Sequence, residues 1–402
     1  MLGCIYYIGL GVTKDEMKAK SYFESAANLN YSQAFISLGD FYFNRQDEYQ
    51  DKAKGIEYYK KAEECKDDNI FLALGTLYRD GKGFEQNSKK AIKYLKLAIK
   101  KNKSAACYNL AEIYYKGIGI NKDFKKARKY YEKATKGNYA PYALFILGKM
   151  YADGDGVDIN YQKTLEYYEQ SAKLNNSDAL NGLGVLYFNG FGIKQNYSIA
   201  REYFEQSKTV NNNSYAYNNL ADIYLNGYGV PKDYYKAQFY YLESAKQKNI
   251  DSFFGLGNMY YKGYIIQDFD TAIKYYKMAA KYNHSEAMFK IGEIYFNEKY
   301  KLHSFKKALK YFKKSSVFNN PNSFYLLGLM HLKGLGVKIN HFESFKYFMN
   351  SADLNYFKAF FYVGILYERG LGVERNLSKA LEYYHQCEQE TNYTYIIHFK
   401  KS

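Results

Sequence analysis

Residues 183–193 of the chain read Leu-Gly-Val-Leu-Tyr-Phe-Asn-Gly-Phe-Gly-Ile, and residues 200–204 read Ala-Arg-Glu-Tyr-Phe. The stretch joins a small residue and an aromatic three positions later to a Gly-x-Gly turn. A second segment follows, in which a small residue precedes Tyr by three positions. Eleven versions of this pattern succeed one another along the 402 residues. A pattern that returns at a fixed interval of about 20–50 residues indicates a repeat array, so it decides the fold class.

Two ladders of residues define the period. The small residue, called position zero, returns every 35–37 residues, and a tyrosine in the second segment keeps step with it. We therefore predict an all-α array of about eleven two-helix repeats with a 36-residue period. Position zero holds Gly3, Gly39, Gly75, Ala111, Gly148, Gly184, Ala221, Gly257, Gly292, Gly328 and Gly364. The tyrosine ladder is Tyr22, Tyr58, Tyr94, Tyr130, Tyr167, Tyr203, Tyr240, Tyr275, Tyr311, Tyr347 and Tyr383.

Each repeat contains two amphipathic segments. In the first, apolar or small residues such as Ala34, Leu38, Phe41 and Tyr42 stand at −5, −1, +2 and +3 from position zero. At 100° per residue these positions fall on one stripe of a helix. In the second, residues 127–134 carry small and aromatic residues at i, i+3, i+4 and i+7, which is again one helical face. The first glycine of the Gly-x-Gly turn ends the first helix, because glycine accepts the left-handed conformation.

Position zero lies inside a helix, where glycine costs about 0.5–1 kcal/mol relative to alanine. Ala111 and Ala221 replace it in two repeats, so the position requires small size rather than a positive φ. We expect neighbouring helix backbones to approach closely there, with the ladder tyrosines in the core around the contact.

The net charge is +16, from 57 basic and 41 acidic residues. Nine lysines and no acid lie in residues 299–342, and seven lysines and no acid lie in residues 86–111. Such zones can meet an acidic protein, an anionic lipid or nucleic acid. A solvated outer helix face is the plainer interpretation. The bias toward Lys, Asn, Tyr, Ile and Phe is also typical of an AT-rich genome.

We find no linker in the sequence, so we predict one repeat solenoid over residues 1–388, incomplete at its first repeat, and a short C-terminal tail over residues 389–402. No run of 18 apolar residues is present, so we predict no transmembrane segment. The four cysteines form no CxxC pair, which favours a reducing compartment. We expect a cytoplasmic location, with the endoplasmic reticulum lumen as the alternative if a signal precedes Met1.

Several motifs resemble chemical sites only superficially. The Gly-x-Gly elements follow a helix, whereas a phosphate-binding loop follows a strand. Residues 153–158 begin like a calcium loop but lack its sixth-position glycine and its terminal glutamate. No histidine pair has HExxH spacing, and His331 stands in the +3 slot where the other repeats have tyrosine, so we expect it to pack as an aromatic ring. We predict no catalytic residues, no metal site and no cofactor, and therefore no enzyme.

The first repeat reads Leu-Gly-Cys-Ile-Tyr-Tyr-Ile-Gly-Leu-Gly-Val over residues 2–12, followed by Asp15, Lys18-Ala19, Tyr22-Phe23 and Ala26-Ala27. This pattern resembles the Sel-1-like repeat, a relative of the tetratricopeptide repeat, and the resemblance covers roughly residues 1–388. It implies a right-handed α-solenoid used as a scaffold or adaptor for protein complexes. The cysteine-rich bacterial branch pairs two cysteines in each repeat. This chain lacks that pairing, so the resemblance does not extend to that branch.

The chain departs from the pattern in three turns. Residues 45–47 and 298–300 replace the Gly-x-Gly, and Ile265 replaces the second glycine after Gly263. We expect altered loops at these places.

The first helix of related two-helix solenoids lines the binding groove. In this chain, positions −2, +1 and +5 form a ridge beside its core positions, and the ridge varies between repeats. Asn109 with Glu112, and Asn219 with Asp222, share a polar pattern there. An asparagine amide can donate to and accept from a peptide backbone at once. These four are candidate partner-binding residues, and ordinary polar surface is the alternative.

The leading hypothesis for function is a non-enzymatic scaffold that binds protein partners, acidic ones included, along the groove of the solenoid. The alternative is binding of single-stranded RNA or of an acidic partner through the lysine-rich zones, which would show a steep salt dependence. Because those zones fall on the second helices, nucleic acid is the less favoured partner.

Overall fold

The computed structural model describes residues 1–45, 47, 50–101 and 104–391, with side chains as far as residue 387. These residues form 22 α-helices and a short 3-10 turn at Asp68–Ile70, and no strand occurs among them. Each repeat supplies two helices, a helix A that carries position zero and a helix B that carries the tyrosine ladder. The all-α two-helix repeat predicted from the sequence is confirmed.

The repeats divide into two compact units, Met1–Asn213 and Ser214–Ser402. The sequence predicted a single array, and both units are indeed built from the same repeat. A boundary inside a repeat array needs no linker composition, because the helix pattern continues on both sides of it. Helices of the first unit are α1 Leu2–Ile8, α2 Glu16–Asn28, α3 Ser32–Asn44, α4 Lys52–Glu64, α5 Phe71–Asp80, α6 Ser88–Lys100, α7 Ser104–Lys116, α8 Phe124–Ala134, α9 Ala140–Asp153, α10 Tyr161–Ala172, α11 Ser177–Asn189 and α12 Tyr197–Asn211.

The second unit contains the remaining five repeats, and odd-numbered helices are again helices A. Its last helix runs three residues past the predicted end of the solenoid, and the rest of the predicted tail lies outside the described residues. Helices of the second unit are α13 Ser214–Asn226, α14 Tyr234–Lys246, α15 Ile250–Lys262, α16 Phe269–Ala280, α17 Ser285–Phe296, α18 Phe305–Ser316, α19 Pro321–Lys333, α20 His341–Ala352, α21 Phe357–Arg369 and α22 Leu377–Thr391.

Both glycines of the Gly-x-Gly turn adopt positive φ. Gly190 ends α11 with φ 74°, and Gly192 follows with φ 70°. The second glycine also lies against helix B of the preceding repeat, since a Cβ on Gly192 would stand 2.5 Å from the Cβ of Tyr161. The turn therefore requires glycine twice, once for conformation and once for conformation and space together.

An Asp or Asn side chain caps the start of most B helices. Asp15 accepts a hydrogen bond of 2.9 Å from the backbone N–H of Lys18, and Asp123 accepts one of the same length from Lys126. Such caps satisfy a backbone donor that the first turn leaves without a partner. The aspartate quoted in the repeat pattern is therefore the N-cap of helix B.

Where the Gly-x-Gly turn is missing, the end of helix A changes as expected. Helix α17 stops at Phe296, and its C-cap Asn297 has an extended backbone with φ −75° and ψ 113° in place of a left-handed glycine. The Tyr300 ring then packs on Phe269 at a centroid distance of 4.2 Å. Helix α3 ends at Asn44, and its C-cap Arg45 likewise has an extended rather than a left-handed backbone. Part of the loop after it lies outside the described residues.

Candidate functional site

The centre of each repeat is a large side chain of helix B lying on position zero of helix A. A Cβ on Gly39 would stand 2.3 Å from the Tyr59 ring, and one on Gly184 would stand 2.4 Å from the Phe204 ring. No methyl group fits at such distances without movement of the ring, which explains the small residue. The side chains concerned are Phe23, Tyr59, Leu95, Tyr131, Tyr168, Phe204, Tyr241, Tyr276, Phe312, Phe348 and Tyr384, all of them buried.

The structure corrects the role expected of the tyrosine ladder. The residue that fills the core is the one directly after each ladder tyrosine, so Phe204 is buried while Tyr203 is half-buried. The ladder tyrosine instead stacks on the aromatic at +3 of helix A, as Tyr203 does on Tyr187 at 5.7 Å. The same pair forms in all eleven repeats at 5.5–6.0 Å. The ladder therefore holds helix B against helix A at the edge of the core.

His331 takes part in one of these pairs. Its ring stacks on Tyr347 at 5.5 Å and is buried, and neither ring nitrogen has a hydrogen-bond partner among the described residues. Burial disfavours the charged imidazolium and lowers the pKa of His331. The prediction that this histidine packs as an aromatic ring is confirmed.

Some of the lysine side chains extend over these aromatic pairs. The lysine at the third position of helix B extends over the +3 tyrosine, with the Nζ of Lys54 4.6 Å from the Tyr42 ring centroid and that of Lys90 4.5 Å from Tyr78. Ammonium groups within about 6 Å of a ring face gain a cation–π attraction. Eight repeats share the contact, so these lysines have a packing role that the sequence analysis did not assign to them.

Other lysines form two exposed rows. On α6, Lys89, Lys93, Lys96 and Lys100 follow one another at i, i+4, i+7 and i+11, and we call them the α6 lysine stripe. The α18 lysine stripe consists of Lys306, Lys310 and Lys313. Within the described part of the chain, no ion pair neutralises either stripe. Both stripes lie on B helices, as the sequence predicted for the lysine-rich zones.

The first pair of candidate partner-binding residues is engaged inside the fold. Asn109 and Glu112 are both buried. The Asn109 amide oxygen accepts a hydrogen bond from Arg79, and the Glu112 carboxylate accepts one from the Tyr131 hydroxyl. The ridge of this repeat was expected to be exposed to solvent. Instead, the tyrosine of the following helix B donates its hydroxyl hydrogen bond to the residue at +1.

The second pair lies in repeat 7 and resembles the first. Asn219 and Asp222 are half-buried, and the Asp222 carboxylate accepts a hydrogen bond from the Tyr241 hydroxyl. Burial raises the pKa of Asp222 to about 6, and the hydrogen bond from Tyr241 opposes part of that rise. In both repeats the acid at +1 thus bonds to the buried tyrosine of its own repeat.

The same bond recurs with three further partners. The buried tyrosine donates to an acceptor on its own helix A in Tyr59–Asp40 at 2.7 Å, Tyr276–Asn258 at 2.8 Å and Tyr384–Glu368 at 2.7 Å. A buried hydroxyl without a partner is costly, so the acceptor and the tyrosine go together. Repeat 5 is different, because Lys149 stands at +1 and its ammonium pairs with Asp153.

A cavity of about 350 Å³ lies beside this exception, between α9 and α11 of the first unit. Gly182, at position −2 of α11, leaves the space open. This place was not predicted from the sequence, although a lysine at +1 of one repeat followed by a glycine at −2 of the next is a signal that the sequence carries. The cavity is lined by aromatic rings together with Lys149, Asp153, Tyr168, Asp178 and Asn181.

The described residues contain no cluster of three or more His, Cys, Asp or Glu side chains able to hold a metal ion. Among the same residues, no helix combines the length and the apolar character that crossing a membrane requires.

Two-helix hairpins that repeat along the chain and pack on their neighbours define a helical-repeat protein of the α-solenoid class. Eleven segments match the Sel1 repeat model, and the chain belongs to this family. The matched residues are 1–31, 33–67, 72–103, 104–139, 141–176, 177–209, 214–249, 254–284, 285–316, 325–356 and 358–386. Sel1 repeat proteins generally mediate protein–protein interactions.

Two solved structures show how far the similarity extends. A protective antigen of uropathogenic Escherichia coli strains, described as having an SLR fold, is 30% identical with a TM-score of 0.62, over 97% of this chain and 83% of that one. A Sel1 repeat protein from Oxalobacter formigenes is 27% identical with a TM-score of 0.54, over 61% of this chain and 99% of that one. No curated protein matches the chain.

Proposed function

We propose that this chain is a non-enzymatic scaffold that binds protein partners on the exposed surface of its A helices. One observation carries the proposal. The residues that recur in every repeat pack within the repeat, whereas the residues on the A-helix surface vary from repeat to repeat. Phe204 packs on Gly184, and the ladder Tyr203 stacks on Tyr187 of the same repeat. Variable side chains on an invariant frame suit the recognition of a particular partner.

The four polar ridge residues support this role indirectly. Asn109, Glu112 and Asp222 accept hydrogen bonds from other residues of the chain, so they fix the shape of the A-helix surface. Asn219 and Asp222 are half-buried, and a partner's backbone can still reach them. We therefore keep Asn219 and Asp222 as candidate partner-binding residues, and we assign to the buried Asn109 and Glu112 the role of fixing the A-helix surface from within.

A cross-linking experiment tests the scaffold proposal. The full chain, tagged and purified, is incubated with extract from its own source, cross-linked and analysed by mass spectrometry with and without nuclease. We expect protein partners whose cross-links map to A helices and resist nuclease. Recovery of nucleic acid alone, or cross-links confined to B helices, would overturn the proposal.

The α6 lysine stripe supports a second candidate, binding of an acidic partner through helix B. Its four ammonium groups lie on one helical face, form no ion pair with a described residue, and make a concentrated positive surface. A variant with Lys89, Lys93 and Lys96 changed to Glu should lose such a partner, and a matched variant in Lys306, Lys310 and Lys313 shows whether the stripe on α18 is equivalent. Single-stranded RNA is the control ligand, because phosphate contacts would give a steep loss of affinity with salt.

A further inference from the structure

The buried tyrosine of repeat 5 lacks the partner that its counterparts have. Tyr168 is only 7% exposed, and its hydroxyl forms no hydrogen bond with a described residue. In repeat 2 the equivalent hydroxyl, that of Tyr59, donates to Asp40 at 2.7 Å. Lys149 replaces that aspartate in repeat 5 and is held by Asp153. The side chain as a whole is more than nine-tenths buried, but its hydroxyl oxygen remains accessible from the adjoining cavity, so a group entering that cavity can supply the missing partner.

The neighbouring repeat leaves the hydroxyl end of this ring uncovered. A Cβ on Gly182 would stand 2.6 Å from Cε2 of Tyr168 and 3.1 Å from Cζ, the carbon that carries the hydroxyl. Any larger residue would close the space over it. At the same position the next repeat holds Ala73 after Tyr59 and Ile146 after Tyr131. Gly182 therefore keeps the cavity between α9 and α11 open.

The walls of the cavity favour a flat cation with an apolar stem. Its rings stand in stacked pairs, Phe145 on Tyr168 at 5.4 Å and Tyr161 on Phe191 at 5.1 Å. Aromatic faces attract a guanidinium group, which is planar and more weakly hydrated than an ammonium group.

The charges on the walls point the same way. Two carboxylates, Asp153 and Asp178, face a single ammonium, that of Lys149, so the formal charge of the lining is −1. Among the described residues, the Asp178 carboxylate accepts one neutral hydrogen bond, 2.8 Å from the Asn213 amide, and it keeps acceptor capacity. The Tyr168 oxygen can accept an N–H as well. A volume of about 350 Å³ suits one side chain rather than a whole helix.

We propose that this cavity binds an arginine side chain presented by a protein partner. The stem packs against the ring surfaces that face the cavity, and the guanidinium donates to the carboxylates and to the hydroxyl of Tyr168. The proposal rests on the proposed scaffold function and specifies one anchor of it. The proposed contact is specific to repeats 5 and 6. In the other described repeats that have a buried tyrosine at this position, its hydroxyl is already bonded to an acceptor within the same repeat.

The test titrates the full chain with a small probe, N-acetyl-L-arginine N-methylamide, and measures binding by ligand-observed NMR. A ligand of this size should bind with a Kd on the order of 1 mM. The corresponding leucine and glutamate amides should bind at least about tenfold more weakly, because they lack the charge or carry the wrong one. Absence of arginine binding, or equal binding of the leucine probe, would overturn the proposal.

Variants locate the site. Asp153→Asn with Asp178→Asn should weaken arginine binding about tenfold or more, and Tyr168→Phe by a few-fold, since each removes a hydrogen bond and keeps the shape. Tyr59→Phe, the matched change in repeat 2, should leave it unchanged. Unaltered binding in the double variant would refute the site. Circular dichroism and hydrogen exchange confirm that each variant is folded.

The two proposals fail differently. If the chain captures protein partners and both the arginine probe and the cavity variants have no effect, the arginine site is lost and the scaffold stands. If the probe binds and depends on the two aspartates while no protein is cross-linked, the cavity is real and the scaffold function is lost.

Discussion

Repeats 2 and 5 have the same ring in the same place and differ in what its hydroxyl meets. Tyr59 lies on Gly39 and donates to Asp40, while Tyr168 lies on Gly148 and has no partner among the described residues. The packing is a property of the repeat, whereas the hydrogen bond depends on which polar residue helix A presents, such as Asp40 at +1 in repeat 2 or Glu368 at +4 in repeat 11. A repeat array can therefore change its surface at one position without disturbing its core, which is how specificity can arise on a uniform frame.

The largest expected effect tests the shared packing. Tyr59→Ala and Tyr168→Ala should each destabilise their repeat by about 3–5 kcal/mol, because both remove a buried ring and leave a cavity. Tyr203→Ala should cost less, about 2 kcal/mol, since this ladder tyrosine is half-buried. Hydrogen exchange of helix amides should show the loss of protection near the altered repeat. Uniform loss over all repeats would contradict the local character of the packing.

The next prediction concerns how much the partly buried carboxylate of Asp222, at +1 of repeat 7, lowers the free energy of unfolding. Between about pH 4 and pH 6 the folded chain holds the proton of Asp222 more tightly than the unfolded chain, because its pKa is raised from 3.8 to about 6. The free energy of unfolding should therefore fall as pH rises through this window. Asp222→Asn should flatten the slope and stabilise the chain by about 1–2 kcal/mol at pH 7.

Urea unfolding at pH 4, 5, 6 and 7 measures this effect. Asn258 occupies the same position in the next repeat and accepts from Tyr276 at 2.8 Å, so the amide fits the geometry. Glu202→Gln, an exposed change in the other unit, should keep the wild-type slope. An unchanged slope in Asp222→Asn would show that Asp222 does not titrate in this range.

A smaller difference separates the two hydroxyls directly. Tyr59→Phe removes the hydrogen bond to Asp40 and should cost about 1 kcal/mol, whereas Tyr168→Phe should be close to neutral. The two variants change the same atom in the same packing, so each is the control for the other. Equal costs, measured by hydrogen exchange of α4 and α10, would mean that Tyr168 has a partner of its own.

The smallest expected effect comes from a substitution that gives repeat 5 an acid at +1, as repeat 2 has. Lys149→Glu places an acid beside Tyr168, as Glu112 stands beside Tyr131 in repeat 4. A double-mutant cycle with Tyr168→Phe should then give a coupling of about 0.5–1 kcal/mol, where none is expected with Lys149. The same substitution should abolish the effect of Tyr168→Phe on arginine binding, since the hydroxyl becomes engaged within the chain.

The fold could be predicted because its signals are local and repeated. Position zero, the turn glycines and the Asp or Asn before helix B each recur at a fixed offset, and each has a conformational or steric reason. The burial of individual rings was less predictable. Tyr203 and Phe204 are adjacent aromatic residues, and periodicity alone places both near one helical face. Only the crossing of helix B over Gly184 determines that Phe204 fills the core and Tyr203 stacks at its edge.

The candidate site was the least predictable part. Asn109 and Glu112 looked like open polar surface by rotation angle, yet Arg79 and the Tyr131 ring reach them from elsewhere in the chain. Conversely, nothing at Tyr168 alone marks its hydroxyl as unpaired. That property needs Lys149 on one helix and Gly182 on another, and it appears only when the two helices lie side by side.

The sequence by itself determined the repeat, its two helices, its turns and the family of the protein, because each depends on residues close together in the chain. Tertiary structure alone decided which ring is buried, which polar groups are already satisfied and where a cavity remains. These depend on contacts between different helices. A Cβ on Gly182, for example, would stand 2.6 Å from the Tyr168 ring, so this position has no room for a side chain.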